Sequence, residues 1–150
     1  MQSITPCLWF DGKAEDAMKF YRSIFKNTKV LSVHRQGKKV LVVFFLLNGL
    51  EFMGLNGGPN FKFNPAVSFL VSCKTQREVD TYWEKLSKGG AEGQCGWLTD
   101  KYGLSWQIVP SALGELMGDK DKKKSDRVFQ AMMKMTKIDI KALKSAYNQK

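Results

Sequence analysis

Few side chains in this 150-residue chain are suited to chemistry near neutral pH. There is one histidine, His34, and there are three cysteines, Cys7, Cys73 and Cys95. A nucleophilic thiol needs a base or a helix N-terminus beside it to lower its pKa. The cysteines fall in, beside or at the end of predicted strands, and no spacing brings His34 to any of them. Buried structural thiols and a solvated strand histidine are the preferred readings. Asp100 is the remaining suggestive titratable group, and it has no visible partner. Trp9, Trp97 and Trp106 each combine a large apolar surface with one hydrogen-bond donor. Each reads first as core, and as a set they can line a pocket for a flat ligand. Trp83 belongs to a helical stripe.

The elements that must position these groups are organised around residues 95–110, CGWLTDKYGLSWQIVP, which read as strand, turn, strand. Asp100 favours the turn start, Gly103 permits positive φ, and Pro110 ends the second strand. Upstream, residues 4–10 form a predicted strand. Ala14, Ala17, Met18, Tyr21, Ile24 and Phe25 share one helical face. Residues 29–35, 38–47 and 50–55 are three further strands, joined at Gln36-Gly37 and Asn48-Gly49. After a turn-rich connector the order restarts: a strand over 66–73, a capping box of Thr75 with Glu78, and a helix striped by Val79, Tyr82, Trp83 and Leu86. Placing Phe20-Tyr21 on Tyr82-Trp83 superposes strand on strand and helix on helix, an internal repeat of a βαβββ unit. The second copy is shorter between its helix and its last strand. Three helices follow. One covers 111–117, one lies behind Ser125-Asp126 with Val128, Phe129, Met132, Met133 and Met135, and one is capped by Asp139. The methionine stripe reads as core or dimer contact and not as a cofactor box.

Composition narrows the function classes. The net charge is +10, and residues 119–150 hold ten Lys/Arg against four Asp/Glu. Residues 120–124 carry no interleaved aromatics, so a solvated helical face is expected and nucleic acid is not. The longest apolar run, 40–47, suits a buried strand and not a membrane span. The N-terminus lacks the pattern of a secretory signal, and the odd cysteine count suits reduced thiols, so a cytoplasmic protein is expected. One domain is expected over 1–150: module one about 3–58, module two about 64–110, and a helical tail over 111–150.

The stretches TPCLWFDGKAEDAMKFYRSIF, FMGLNGGPNFKFNPAVSFLVSC, CGWLTDKYGLSWQIVP and MTKIDIKALKSAY resemble the PhnB-like branch of the vicinal-oxygen-chelate (glyoxalase/bleomycin-resistance/dioxygenase) superfamily. Many of its members are labelled 3-demethylubiquinone-9 3-methyltransferase. The resemblance implies an α+β fold of two βαβββ modules forming an open curved sheet or half-barrel, with additional C-terminal helices, and usually a homodimer. In metal-dependent relatives each module supplies one ligand from its first strand and one carboxylate near the end of its last. Pro6 and Ser68 fall at the first-strand positions, Gln107 at the second-module carboxylate position, and Asn56 near the first-module one. A transition metal wants His, Cys or carboxylate donors, so neither a metal nor any other cofactor is expected.

The expected site is therefore a metal-free cleft for a small molecule, drawn from Trp9, Asn56, Ser68, Trp97, Trp106 and Gln107. Gln107 either bonds a polar ligand or is solvated. Asn56 is also a natural turn residue before Gly57-Gly58, and the orientation of Ser68 is open. The alternative is an enzyme of the same superfamily: a lyase, isomerase or dioxygenase, or the methyltransferase of the label. A doubly wound methyltransferase needs a Gly-rich turn after its first strand, and Asp11-Gly12-Lys13-Ala14 has a single glycine.

Overall fold

The structure is a computed structural model and describes residues 2–149. The chain divides after Phe63 into two compact units. The first unit contains β1 (Cys7–Phe10), α1 (Ala14–Ile24), β2 (Lys29–Gln36), β3 (Lys39–Leu47) and β4 (Leu50–Asn56). Its sheet runs β1-β4-β3-β2, with β1 parallel to β4 and the other pairs antiparallel. The tight β3–β4 turn places Asn48 at φ 49° and Gly49 at φ 82°, the left-handed pair that matches strand twist. Ala14, Ala17, Met18 and Tyr21 are the buried stripe of α1. They pack on the sheet face that carries Leu8, Phe10, Val43, Phe45 and Phe52.

The second unit repeats the order with β5 (Ser68–Cys73), α2 (Gln76–Ser87), β6 (Ala91–Glu92), β7 (Trp97–Thr99) and β8 (Ser105–Pro110). Its sheet runs β5-β8-β7-β6, again with one parallel pair, β5 with β8. The fold is thus α+β with two four-stranded sheets of matching order. The shortening expected in the second copy falls on β6 and β7, two and three residues long. Thr75 Oγ1 accepts the Glu78 N–H at 3.1 Å, while the Glu78 carboxylate reaches one residue past the cap to the Lys74 N–H at 2.7 Å.

Three helices complete this unit: α3 (Ser111–Met117), α4 (Lys122–Met133) and α5 (Ile140–Tyr147). Leu113, Val128, Ile138 and Leu143 form their core, with Met117, Met132 and Met135 packed against it, so the methionines fill space there. α4 begins before Ser125 because Asp121 accepts the N–H groups of Lys123 and Lys124 and caps it. Asp139 caps α5 as expected, accepting the Ala142 N–H at 3.0 Å. No helix among the described residues is long and apolar enough to cross a membrane.

Candidate functional site

Asp100 builds the hairpin. The residue is 2% exposed. Its Oδ1 accepts the N–H groups of Tyr102 at 2.8 Å and Leu104 at 3.1 Å, and its Oδ2 accepts the Trp106 indole N–H at 2.8 Å. Its backbone also pairs with Leu104 and Gly103. A buried carboxylate with this many donors is a structural keystone of the hairpin.

Alternation then assigns the faces of the second sheet. Trp106, Ile108 and Leu98 are buried on the face that meets α2, so Ser105, Gln107 and Val109 stand on the other. Register carries that second face across the sheet. β5 sets Ser68 beside Ser105 and Leu70 beside Gln107, and β7 sets Trp97 beside Gln107 and Thr99 beside Ser105. None of these positions is charged.

On this face Gln107 Nε2 donates to Ser68 Oγ at 3.0 Å. Gln107 Oε1 has no protein partner among the described residues, and the Ser68 hydroxyl proton is left to donate outward. The tryptophans separate clearly. The indole N–H of Trp9 donates to Gly58 O at 2.9 Å, that of Trp83 to Glu92 Oε1 at 2.8 Å, and that of Trp106 to Asp100. The Trp97 N–H alone has no partner among the described residues. The structure therefore brings Ser68, Trp97 and Gln107 onto one surface. It places Trp106 behind them, 3% exposed, in the core.

Trp9 and Asn56 belong to the first unit. Trp9 lies edge-on to Phe61, with ring centroids 4.9 Å apart, and its six-membered ring comes so close to Gly57 that a Cβ there would stand 2.3 Å from it. Asn56 has both ends of its amide engaged. Oδ1 accepts the Ala14 N–H at 2.9 Å, capping α1 where Lys13 offers no side-chain cap, and Nδ2 donates to Val40 O at 2.9 Å. It also borders a groove of about 460 Å³ with Glu15, Asp16 and Lys39.

The positions corresponding to metal ligands do not fit a transition metal. Pro6 has no donor side chain, and its carbonyl accepts the Met53 N–H at 2.9 Å. Asn56 is engaged twice, and Ser68 and Gln107 are neutral and bonded to each other. Among the described residues no three His, Cys, Asp or Glu side chains gather into a cluster. Two of the thiols, Cys7 and Cys73, are held toward the protonated form by burial. Burial pushes the Cys73 thiol up to about 11, with Glu78 adding to it, and burial also raises Cys7. Cys95 sits at φ 59° with its Sγ 3.9 Å from Met133 Sδ. His34 stands edge-on to Phe44, at 6.1 Å between centroids.

What sequence reasoning missed is the Ser68–Gln107 bond and the neighbours Leu70 and Thr99 on the same face. The signal was present in the alternation of Trp106 and Ile108 with Gln107, but carrying it to β5 and β7 requires the register.

A family model described as 3-demethylubiquinone-9 3-methyltransferase matches residues 2–109 of this chain, so α3, α4 and α5 lie beyond it. A PhnB protein from Bacillus cereus with the same methyltransferase label is 40% identical, and the match covers 73% of this chain and 100% of that one, with a TM-score of 0.69. Two further solved structures share the fold. One is a protein from Pseudomonas aeruginosa, 16% identical, covering 73% of this chain and 98% of that one, with a TM-score of 0.60. The other is the fosfomycin resistance protein FosX from Listeria monocytogenes, complexed with Mn(II) and sulfate, 18% identical, covering 72% and 92%, with a TM-score of 0.54. No curated protein is significantly similar to the chain.

Proposed function

This chain belongs to the family described as 3-demethylubiquinone-9 3-methyltransferase, with a PhnB-like, vicinal-oxygen-chelate fold, and from that premise we propose that it is a metal-free small-molecule-binding protein. Its site lies on the face of the second sheet turned away from α2, at Ser68, Trp97 and Gln107. The observation that carries this reading is the set of unengaged polar groups there. Trp97 offers a donor, Gln107 an acceptor and Ser68 a donor, whereas the other three indoles are tied to the protein. Trp106 supports the face from behind. In the first unit Asn56 caps α1, and the Trp9 indole N–H is held by Gly58 O.

A face with neutral hydrogen-bonding groups and an indole suits an uncharged, flat, polar ligand, because nothing on it balances a charge. Native mass spectrometry of freshly purified protein, followed by a ligand screen read by tryptophan fluorescence, tests this. The hits are expected to lose affinity in Gln107→Ala and Trp97→Phe, and unchanged affinity in both variants refutes the site. Tight stoichiometric uptake of a divalent ion in calorimetric titration refutes the metal-free reading.

The methyltransferase label is a family description. A mononucleotide crevice forms at the switch point of an open parallel sheet, and each sheet here has one parallel pair among antiparallel ones. Binding without methyl transfer is therefore the reading we favour, within a cytoplasmic homodimer. The three free thiols and the exposed apolar Leu31 and Val33 on the edge strand β2 support that setting. Sedimentation equilibrium checks the dimer.

A further inference from the structure

We propose that α3, α5 and the start of α2 form a second binding site, a groove for a small multivalent oxyanion such as a di- or triphosphate group. The groove has a volume of about 1040 Å³ and is lined by Lys74, Lys141 and Lys144. On α5 the two lysines sit three residues apart and so share one face, with Ser145 and Asn148 extending it. None of the three ammonium groups forms an ion pair among the described residues. Two carboxylates also line the groove. These are Asp139, which accepts the Ala142 N–H as the α5 cap, and Glu115, so the three lysines face two carboxylates and exceed them by one charge. The ends of α2 and α5 are capped from within the chain by Thr75 and Asp139, so the attraction comes from the lysines.

The end wall of the groove is held rigidly. Gln76 Nε2 donates to Ile138 O and to Asp80 Oδ1, both at 3.0 Å, and Gln76 Oε1 accepts the Ile140 N–H at 2.8 Å. Lys137 closes the network on Asp80 at 2.8 Å. Prefixed walls reduce the ordering cost of binding. Lysines are point charges that suit phosphate oxygens, and no aromatic side chain lines the groove to stack a nucleobase. Apart from residues 74–76 the lining lies beyond the residues matched by the family model.

The test is a titration of the full chain with inorganic pyrophosphate, followed by amide ¹H–¹⁵N shifts. Saturable shifts at Gln76, Ser111, Lys141 and Lys144 are expected, weakening with added salt. Lys141→Gln and Lys144→Gln should each weaken binding about two- to five-fold, and Glu115→Gln should strengthen it by a similar factor. Lys122→Gln, on α4 and outside the groove, should change nothing. These side chains are exposed, and circular dichroism verifies that each variant is folded. A parallel citrate titration distinguishes a general oxyanion site, with shifts at the same residues, from a phosphate-selective one, with none. Non-saturating shifts spread over residues 120–124, equal weakening by Lys122→Gln, or preferential binding of a single-stranded oligonucleotide overturns the proposal.

Discussion

The two βαβββ units share an element order and a sheet order and differ in what their polar side chains do. In the first, Asn56 at the end of the last strand is engaged twice with backbone, capping α1 and holding β3, and Trp9 donates to Gly58. In the second, Gln107 in the last strand engages only Ser68, and the Trp97 indole has no partner among the described residues. Helix capping explains part of the difference. α2 carries its own cap in Thr75, so its sheet is not required to supply one, whereas the α1 cap position, Lys13, makes no side-chain bond and α1 depends on Asn56. A repeat whose local sequence caps its own helix leaves its strand side chains free of that task.

Substitutions can break this contrast, and the largest effect is expected at the hairpin. Asp100→Ala strips one carboxylate from several buried donors and should cost about 3–5 kcal/mol in urea unfolding. A loss below about 1 kcal/mol would show that the turn holds without it. Asn56→Ala should cost about 1–2 kcal/mol, through the lost cap and the orphaned Val40 carbonyl, while leaving ligand affinity at the second sheet unchanged. Gln107→Ala and Trp97→Phe should reverse that pattern, shifting stability by no more than about 1 kcal/mol while removing ligand binding. If Gln107→Ala destabilises as much as Asn56→Ala, the division into scaffold unit and binding unit fails.

A further expected effect concerns the thiols and shows only at alkaline pH. Cys73 is buried with a folded-state pKa of about 11 against an ordinary 9.0, so the native state holds its proton where the unfolded chain releases it. Its contribution to stability is therefore complete below pH 9.0 and is lost as pH rises through about 11. Chemical unfolding across that window should show a decline that Cys73→Ala reduces. In native protein at neutral pH, maleimide labelling read by peptide mass should find exposed Cys7 modified before Cys73.

Much of the fold was legible in the sequence because its signals are local. The α1 stripe, the Asn48-Gly49 turn, the Thr75 and Asp139 caps and the Asp100 turn each act within a few residues of one another. Boundaries were less legible where two local signals competed. Asp121 outcompetes Ser125-Asp126 as the start of α4 because it offers its carboxylate to two free N–H groups. The strand leading into the hairpin starts at Trp97 and not at Cys95, because Cys95 and Gly96 adopt positive φ and donate to the carbonyls of Met135 and Thr136 at 2.8 Å. That competitor lies forty residues downstream and leaves no local trace.

Family membership, the duplicated βαβββ order and the poverty of metal-type donors at the positions where relatives place ligands are all readable from the residues alone. Register and packing give the candidates their surroundings. Asp100 looked suggestive as a titratable residue and is a buried anchor. Trp106 and Asn56 serve packing and capping, while Ser68, Trp97 and Gln107 meet on one uncharged face. The two kinds of information differ in range. Hydrophobic period and capping are written within one turn or one strand, whereas facing and hydrogen-bond partnership across a sheet depend on register, which here joins residues 39 positions apart.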